Sequence, residues 1–431
     1  EVMDLYKEYK AKGASKEEFL RAAAKIEGVY VPALYDAKYN DDGTLKSITP
    51  RGKDVPPTIK KRVETDLDTT YYPEKILTPL IEVVHDRAVE EIFRGCIRGC
   101  RFCQAGYIYR PVREKSVETI NRQAKAICMN SGYDEISLSS LSTSDYTAIE
   151  PLLNSMLDWT AAEDINLSLP SLRIDNFSEE LLRKINSVRK SGLTFAPEAG
   201  TQRLRDVINK NITEKDILSS CETAFAGGHT AVKLYFMMGL PTETDEDIIG
   251  IATLAQKIVD LYYSLPTKPK GKAVSVTISV ANFVPKPFTP FEFEPQITRE
   301  EMIRRQNLLK EHIKSRKITF NYHENRASSL EGVFARGDRR LSAVIERAFR
   351  LGCKFDAWDE NFLFDKWQQA FEDCGQSQSF YANRTRDYTE LFPWDHLDYG
   401  ITKEFLIRDN RLAKQGLTTP NCREKCAGCG A

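Results

Sequence analysis

Strand-like and helix-like segments alternate between residues 80 and 295, and this alternation constrains the fold more than any other feature of the chain. Six apolar runs predict strands at Glu90–Arg94, Glu135–Ser139, Asn166–Leu169, Leu193–Ala196, Ala231–Met237 and Val274–Ala281. Helical spacing of apolar residues predicts intervening helices at Val117–Met129, Leu152–Ala161, Ser178–Val188, Ile217–Ala226 and Glu246–Tyr262. Repeated βα units of this kind form parallel sheets. We therefore predict an α/β fold containing a partial (β/α)6 barrel of the TIM type.

The segments on either side of this region have a different character. The first 80 residues contain two amphipathic helical patterns, and the second opens with a capping box at Ser15 and Glu18. Two strand-like runs follow around Asp42-Gly43, which is a hairpin turn signal. We predict an N-terminal helical and hairpin linker segment at 1–80, the barrel at 81–295 and a mostly helical C-terminal region at 296–431. Since the chain starts inside a helical pattern, we expect the first segment to be the remnant of a preceding domain.

Three cysteines directly follow the first predicted strand, in the segment RGCIRGCRFCQAG. Cys96, Cys100 and Cys103 form a C-x3-C-x2-C array. Four thiolates fill the ligand sites of a [4Fe–4S] cube, so three leave one iron open to a substrate. Chemistry in parallel barrels lies at the C-terminal ends of strands, which is where this loop falls. A zinc site is the alternative, because zinc-binding cysteines have similar spacings.

Three arginines interleave with these cysteines, at Arg94, Arg98 and Arg101. Neighbouring cations stabilise thiolates and so lower the pKa values of cysteines. We expect the three guanidinium groups to act in this way and to offset the charge of an anionic cluster.

The array resembles the signature of the radical S-adenosylmethionine (SAM) enzymes, including the aromatic Phe102 just before the last cysteine. The segments LSLSSLSTSDY, LPSLRIDNF, TFAPEAGTQRLRDVINKNIT and KLYFMMGLPTETDED are similar to the cobalamin (B12)-binding type, and more narrowly to an uncharacterised bacterial branch. The resemblance implies that Cys96, Cys100 and Cys103 hold a catalytic [4Fe–4S] cluster. Its open iron would bind SAM, and one electron would cleave SAM to a 5′-deoxyadenosyl radical.

Cobalamin itself is implied only by this resemblance. In that branch a cobalamin-binding domain precedes the barrel, and the present sequence contains no D-x-H-x-x-G cobalamin motif. We therefore expect cobalamin only if a preceding N-terminal domain supplies its site.

Binding of SAM requires polar partners for its ammonium and ribose, a cation for its carboxylate and an apolar slot for its adenine. Polar residues recur at the ends of successive predicted strands, and this recurrence is the basis for the assignment. The predicted SAM-binding residues are Ser140 and Ser142 for the ammonium, Ser168 and Glu198 for the ribose, Arg173 and Arg203 for the carboxylate, and Phe102 for the adenine.

A second triplet, Cys422, Cys426 and Cys429, repeats the C-x3-C-x2-C spacing near the end of the chain. An auxiliary iron–sulfur cluster and a zinc ion both suit this pattern, since C-x2-C-G also resembles a zinc knuckle. A site that is empty or completed by a partner is the third alternative. The sequence leaves these alternatives open.

The net charge of −1, with 61 basic and 62 acidic residues, does not support a broad nucleic-acid surface. No apolar run is long enough to cross a membrane and no signal peptide is visible. Six of the ten cysteines lie in the two triplets, which indicates bound metal and a reducing compartment. We expect a cytoplasmic enzyme, with SAM, an unknown substrate and an electron donor such as flavodoxin or ferredoxin as partners.

The predicted function is cleavage of SAM by a radical SAM enzyme, with cobalamin-assisted methyl or group transfer as the net reaction. A methylthiotransferase is one alternative. A non-catalytic iron–sulfur or zinc scaffold that binds RNA or protein is the other. Fold-level resemblance does not identify the substrate.

Overall fold

A computed structural model describes residues 1–169, 193–266, 268 and 271–431 of the chain. The predicted helix Ser178–Val188 lies outside these residues. The strands of the described part are β1 Tyr35–Tyr39, β2 Leu45–Pro50, β3 Ile59–Lys60, β4 Ala88–Glu91, β5 Phe93–Arg94, β6 Arg113–Glu114, β7 Glu135–Ser139, β8 Asn166–Ser168, β9 Leu193–Glu198, β10 Ala231–Met238, β11 Ser275–Asn282, β12 Ile318–Tyr322 and β13 Leu397–Asp398.

Helices connect and cover these strands. Those of the described part are α1 Val2–Ala11, α2 Lys16–Ala23, α3 Ala105–Ile108, α4 Val117–Ser131, α5 Ile149–Thr160, α6 Gln202–Val207, α7 Glu214–Ala226, α8 Asp245–Ser264, α9 Arg299–His312, α10 Asn325–Ala335, α11 Leu341–Arg350, α12 Phe364–Asp373, α13 Gln378–Ala382 and α14 Lys403–Lys414. Among these residues, no helix has both the length and the apolar character needed to cross a membrane.

Two parallel sheets carry the βα units. Strands β4, β7 and β8 form one sheet in the order β4-β7-β8, and the other has the order β12-β11-β10-β9. All pairings within the two sheets are parallel, as the alternation of strands and helices predicts. The α/β class with a partial barrel is therefore confirmed, and the described residues do not form a closed barrel.

The structure corrects two details of the predicted strands. The first predicted strand is split: Ala88–Glu91 pairs in the parallel sheet, whereas Phe93–Arg94 pairs antiparallel with Arg113–Glu114. An additional strand, Ile318–Tyr322, pairs parallel with β11 beyond residue 295, in the region predicted to be mostly helical. Its five residues come shortly after the charged helix α9, and the stronger helical pattern of that helix hides this short run.

Alternating apolar residues build the larger core. Along β10, Val232, Leu234, Phe236 and Met238 are buried, while the intervening side chains are more exposed. Helix α8 covers this sheet with one apolar stripe that includes Ile251. Each such fully buried aliphatic or aromatic side chain stabilises the fold by about 1.5–3 kcal/mol. The strands are therefore rigid supports for the loops at their ends.

The N-terminal segment packs on the C-terminal region. The strands β1 and β2 form an antiparallel hairpin, and β3 pairs parallel with β13. The guanidinium of Arg339 donates a hydrogen bond of 2.8 Å to the carbonyl of Tyr35. These contacts tie the two ends of the described chain together.

Gly200 allows a very close approach between the loop after β9 and helix α8. A Cβ atom at this position would lie 2.3 Å from the Ile251 nitrogen and 2.4 Å from the Asp247 oxygen. Both atoms belong to the backbone and cannot rotate away. The glycine is therefore required, and its contact with α8 fixes the loop that begins at Glu198.

A buried carboxylate makes the stability of this fold dependent on pH. Glu292 is 2% exposed, and its Oε2 accepts hydrogen bonds from the Phe288 N–H (2.8 Å) and the Trp394 Nε1–H (2.9 Å). Burial raises the pKa of Glu292 to about 7, against the opposing effect of these hydrogen bonds; Asp395 adds to the rise and Lys403 opposes it. The folded chain thus holds a proton that the unfolded chain releases above about pH 4.5.

Because the folded-state pKa is raised, this group makes the protein less stable as pH rises from about 4.5 to 7. Its contribution to the change is at most about 3 kcal/mol. Glu292→Gln keeps an acceptor oxygen and removes the titration, so we expect the free energy of unfolding to fall less between pH 5 and pH 8. Urea unfolding at pH 5 and at pH 8 measures this fall in the free energy of unfolding. The exposed Glu300→Gln is the control, and equal slopes for both variants would refute the prediction.

Candidate active site

The first cysteine loop lies between strand β5 and the short helix α3. Gly95 enters the loop with φ +89°, and a Cβ there would lie 2.8 Å from the Pro111 carbonyl oxygen. The backbone N–H of Arg98 donates to the Cys96 sulfur at 3.4 Å. The N–H of Cys103 donates to the carbonyl of Cys100 at 3.1 Å. The backbone therefore folds tightly around the three thiols.

Burial dominates the electrostatics of these thiols. It raises the pKa of Cys96 to about 12 and also raises the pKa of Cys103, and the charge of Cys100 adds to both shifts. The three sulfurs thus lie close enough to interact. Burial therefore outweighs whatever lowering the interleaved arginines contribute to the pKa values of these two cysteines.

Each of the three arginines has a carboxylate partner, which explains this result. Arg94 pairs with Glu91 at 2.9 Å, and Arg98 donates to Asp145 at 2.9 Å. Arg101 is completely buried and pairs with Asp409 at 3.0 Å. Each guanidinium charge is largely balanced by its carboxylate partner. The arginines therefore have less effect on the pKa values of the cysteine thiols.

Arg101 fastens the loop to distant parts of the chain. Its guanidinium also donates to the carbonyls of Val207 (2.9 Å) and Leu417 (2.7 Å). These bonds join the cysteine loop to helix α6 and to the segment after helix α14. The residue is a structural anchor of the loop.

The donor set suits an iron–sulfur cluster. Its three thiols lie in one partly buried loop. A cluster differs from a single ion because each of its thiolate ligands binds a different iron. Cys96, Cys100 and Cys103 are the residues that would hold it.

Polar residues after strand β7 lie beside Cys96. Ser142 donates to Asp145 Oδ2 at 2.6 Å, and Arg98 binds the same carboxylate. The Asp145 charge contributes to the raised pKa of Cys96, after burial and the neighbouring thiols. Ser140 lies 3.0 Å from Thr143, hydroxyl to hydroxyl. This strand end thus brings Ser142 and Asp145 to the cysteine loop.

An ion pair after strand β9 lies beside Cys103. Glu198 and Lys210 are 3.1 Å apart and only 16% and 12% exposed. Both charges act on the Cys103 thiol, Lys210 lowering and Glu198 raising its pKa, although burial outweighs them. Glu198 has φ +67°, a left-handed conformation that is uncommon for a residue with a side chain. The fold holds this carboxylate at the cysteine loop in an unfavourable backbone conformation.

An apolar surface adjoins the same loop. Phe102 and Met237 are partly buried and pack on a cluster that includes Leu240 and Phe283. Leu240 and Phe283 follow the ends of β10 and β11. The Phe102 ring therefore has apolar neighbours at two strand ends.

The remaining predicted residues occupy different environments. Ser168 is half-buried at the end of β8, and Arg173 lies outside the described residues. Arg203 is 48% exposed and forms an ion pair with Asp247, and it also donates to the Thr242 carbonyl at 2.9 Å. In the second triplet, Cys422 and Cys426 are exposed and Cys429 is buried.

Sequence reasoning missed three residues at the cysteine loop, namely Asp145, Lys210 and Asn209. Asn209 is 1% exposed, has φ +53° and donates to the Gly99 carbonyl at 3.0 Å. The segment INKN after helix α6 offered a signal, because asparagine tolerates the left-handed conformation of a helix end. For Asp145 the sequence offered a weaker signal, which was only an acidic residue three positions after the predicted SAM-binding residue Ser142.

The site thus combines partly buried thiols on one loop with charged groups from two strand ends, an arrangement suited to an enzyme that binds an iron–sulfur cluster. Residues 91–255 match the family model described as the radical SAM superfamily. An uncharacterized protein of Methanocaldococcus jannaschii is 32% identical over 344 residues, which cover 78% of this chain and 72% of that protein. The chain belongs to the radical SAM superfamily, and it is an enzyme of that class. Membership implies a [4Fe–4S] cluster and SAM as its cofactors.

Two further relatives have names that suggest transfer reactions. One, from Methanocaldococcus jannaschii, is provisionally named a methylthiotransferase and is 26% identical over 41% of this chain and 42% of its own length. The other, named an uncharacterized methyltransferase, from Pyrococcus horikoshii, is 23% identical over 56% of this chain and 50% of its own length. The match thus spans half or less of each of these two proteins.

Proposed function

We propose that this chain cleaves SAM reductively at the first cysteine loop and uses the product for methyl or group transfer. The observation that carries the proposal is the convergence of three partly buried thiols with Asp145, which Arg98 of the same loop binds at 2.9 Å, and with the Glu198–Lys210 pair. A zwitterionic nucleoside needs anionic, cationic and apolar partners close together. Asp145, Glu198 and Lys210 offer the charged partners, and the partly buried Phe102 offers the apolar one.

The roles of the residues follow from their contacts. Cys96, Cys100 and Cys103 would hold the cluster, which supplies the electron for cleavage when bound. Glu198 would accept hydrogen bonds from the ribose hydroxyls, since its carboxylate faces Cys103. Lys210 and Arg203 each pair with a carboxylate, and we assign the SAM carboxylate to Lys210 because its charge acts on the Cys103 thiol.

The residues after strand β7 would bind the ammonium of SAM. The Asp145 carboxylate is 4% exposed and is oriented by Arg98 and Ser142. Ser140 would add a hydroxyl from the same strand end. Phe102, with Met237 beside it, would cover the adenine and exclude water from the radical product. Ser168 and Arg173 stay predictions for the ribose and carboxylate.

Glu198 offers a direct test of this binding mode. Glu198→Gln retains the shape but removes the charge, and hydrogen bonds to charged groups contribute about 1.5–3 kcal/mol. We expect the KM for SAM to rise about tenfold or more, with unchanged iron content. The exposed Glu214→Gln, which loses a pair with Lys257, is the control. An unchanged KM for SAM in Glu198→Gln would show that Glu198 does not bind SAM.

Cobalamin-assisted methyl transfer is the net reaction that we propose, and a methyltransferase among the relatives supports transfer chemistry. Reduced protein would be incubated with SAM, with and without methylcobalamin. Methyl donation by SAM leaves S-adenosylhomocysteine, whereas reductive cleavage leaves 5′-deoxyadenosine and methionine. We expect S-adenosylhomocysteine only with cobalamin present. Formation of 5′-deoxyadenosine alone in both samples would support cleavage and refute a cobalamin step that this chain performs without a further domain.

A methylthiotransferase is the second candidate, because one relative has that name and the chain has a second cysteine triplet. Such a reaction incorporates sulfur as well as a methyl group into its product. Mass spectrometry of the product therefore distinguishes the two candidates. A methylthio addition would replace our proposal.

A further inference from the structure

The second parallel sheet presents a polar face on the side away from its covering helices. The even-numbered side chains of β10, from Val232 to Met238, pack into the core with helix α8. Side chains of a strand alternate between its two faces, so Lys233, Tyr235 and Met237 lie on the opposite face. Lys233 and Met237 are half-buried there, and Tyr235 is 41% exposed. We call this side the inner face of the sheet.

Neighbouring strands add polar side chains to the inner face. The parallel register aligns them in two rows, namely Thr194, Lys233, Thr277 and Thr319, and then Tyr235, Ser279 and Asn321. Hydroxyl and amide groups of this kind donate hydrogen bonds to an anion. The inner face therefore surrounds Lys233 with neutral hydrogen-bond donors.

Lys233 is the charged residue of these two rows, and its charge is not neutralised by a neighbour. Its ammonium lies 4.8 Å from the centre of the Tyr235 ring, which carries no charge. Among the described residues, no carboxylate lies within ion-pair distance of this ammonium. By contrast, Glu198 and Lys210 at the end of β9 pair with each other. A half-buried cation in a polar cleft attracts an anion.

The inner face leads directly to the proposed SAM site. Met237, on the same strand face as Lys233, packs with Phe102 on one apolar cluster. Residues two apart on a strand are separated by about 6.6 Å, so Lys233 lies about 13 Å from Met237 along β10. A molecule with an anionic group at Lys233 and a reacting carbon at the SAM site would span roughly that distance.

We propose that the inner face binds the substrate of the transfer reaction, and that this substrate is a small anion whose phosphate or carboxylate group pairs with Lys233. The inference rests on the proposed function, because it takes SAM to be bound beside Met237. Lys233 lies about 16 Å below the end of β10 at Met238, and this depth favours a small molecule over a folded protein or RNA.

Protection of Lys233 from acetylation tests anion binding without requiring SAM cleavage. The full chain with its reconstituted cluster is treated with an amine-acetylating reagent alone, or with phenyl phosphate, phenylacetate, neutral benzyl alcohol or a short oligoribonucleotide. Mass spectrometry then measures acetylation of each lysine. We expect phenyl phosphate or phenylacetate to slow acetylation of Lys233 about tenfold at ten times its Kd, and benzyl alcohol to have no effect. The more protective anion identifies the group as phosphate or carboxylate. Lys257, exposed on helix α8, is the internal control.

Three outcomes of this labelling would overturn the proposal. Protection of Lys210 in place of Lys233 would put the anion in the SAM site. Unchanged acetylation of Lys233 with both small anions would exclude an anion site on the inner face. Protection by the oligoribonucleotide alone would replace the small molecule with RNA.

The contribution of Lys233 is measured from the Kd of the more protective anion, by ligand-observed NMR. We expect Lys233→Met to raise this Kd about tenfold or more, because a hydrogen bond to a charged group contributes about 1.5–3 kcal/mol. Lys257→Met, which loses its pair with Glu214, should leave the Kd unchanged. Equal Kd values in the two variants would show that Lys233 does not bind the anion, whether or not the chain cleaves SAM.

Discussion

Cys100→Ala is expected to lower formation of 5′-deoxyadenosine from SAM more than about 100-fold, down to the level without enzyme. Replacing a residue that only orients a metal ligand typically lowers metal affinity or activity 10–100-fold. Replacing the ligand itself lowers it further. Cys100 shares its loop with Cys96 and Cys103, whose pKa values its charge raises. The measurement is chromatographic quantification of 5′-deoxyadenosine after anaerobic incubation with SAM and dithionite.

Cys374→Ala is the matched control, because Cys374 is a half-buried cysteine at the end of helix α12 and belongs to neither triplet. It should retain the wild-type rate. Cleavage of SAM by Cys100→Ala at the wild-type rate would contradict the assignment of the first loop, whatever the second triplet binds.

Arg101→Met is expected to destabilise the fold by about 3–5 kcal/mol, because it leaves the buried Asp409 carboxylate without its partner. Asp409 is 1% exposed, so water cannot replace the lost guanidinium. The bonds to the Val207 and Leu417 carbonyls are lost as well. Chemical denaturation followed by circular dichroism measures the loss.

Arg94→Met provides the control, since its pair with Glu91 is about one-third exposed and contributes less than about 1 kcal/mol. A double variant, Arg101→Met/Asp409→Leu, should recover part of the stability by removing the unpaired charge. Equal effects of Arg101→Met and Arg94→Met would show that the Arg101–Asp409 pair does not anchor the loop.

Local patterns in the sequence predicted the features that depend on neighbouring residues. The alternation of strands and helices gave the parallel sheets, and the position after the first strand gave the cysteine loop. Strand β12 was missed because its five residues follow a long charged helix. The helical pattern there was simply the stronger signal.

Long-range partners could not be predicted in the same way. Arg203 is a plausible cation for SAM by sequence, but Asp247, 44 residues later, binds it. Lys210 was overlooked, although the fold places it against Glu198. Pairing of charges across a fold depends on which strand ends meet, and a single sequence does not contain that information.

The partner of Arg101 in the first cysteine loop, Asp409, lies 308 residues further along the chain. During synthesis on the ribosome, this arginine therefore lacks its counter-charge until 308 further residues have been added. The loop reaches its finished shape only then. Delivery of iron and sulfide by an assembly machinery is accordingly expected to follow the synthesis and docking of helix α14, which carries Asp409.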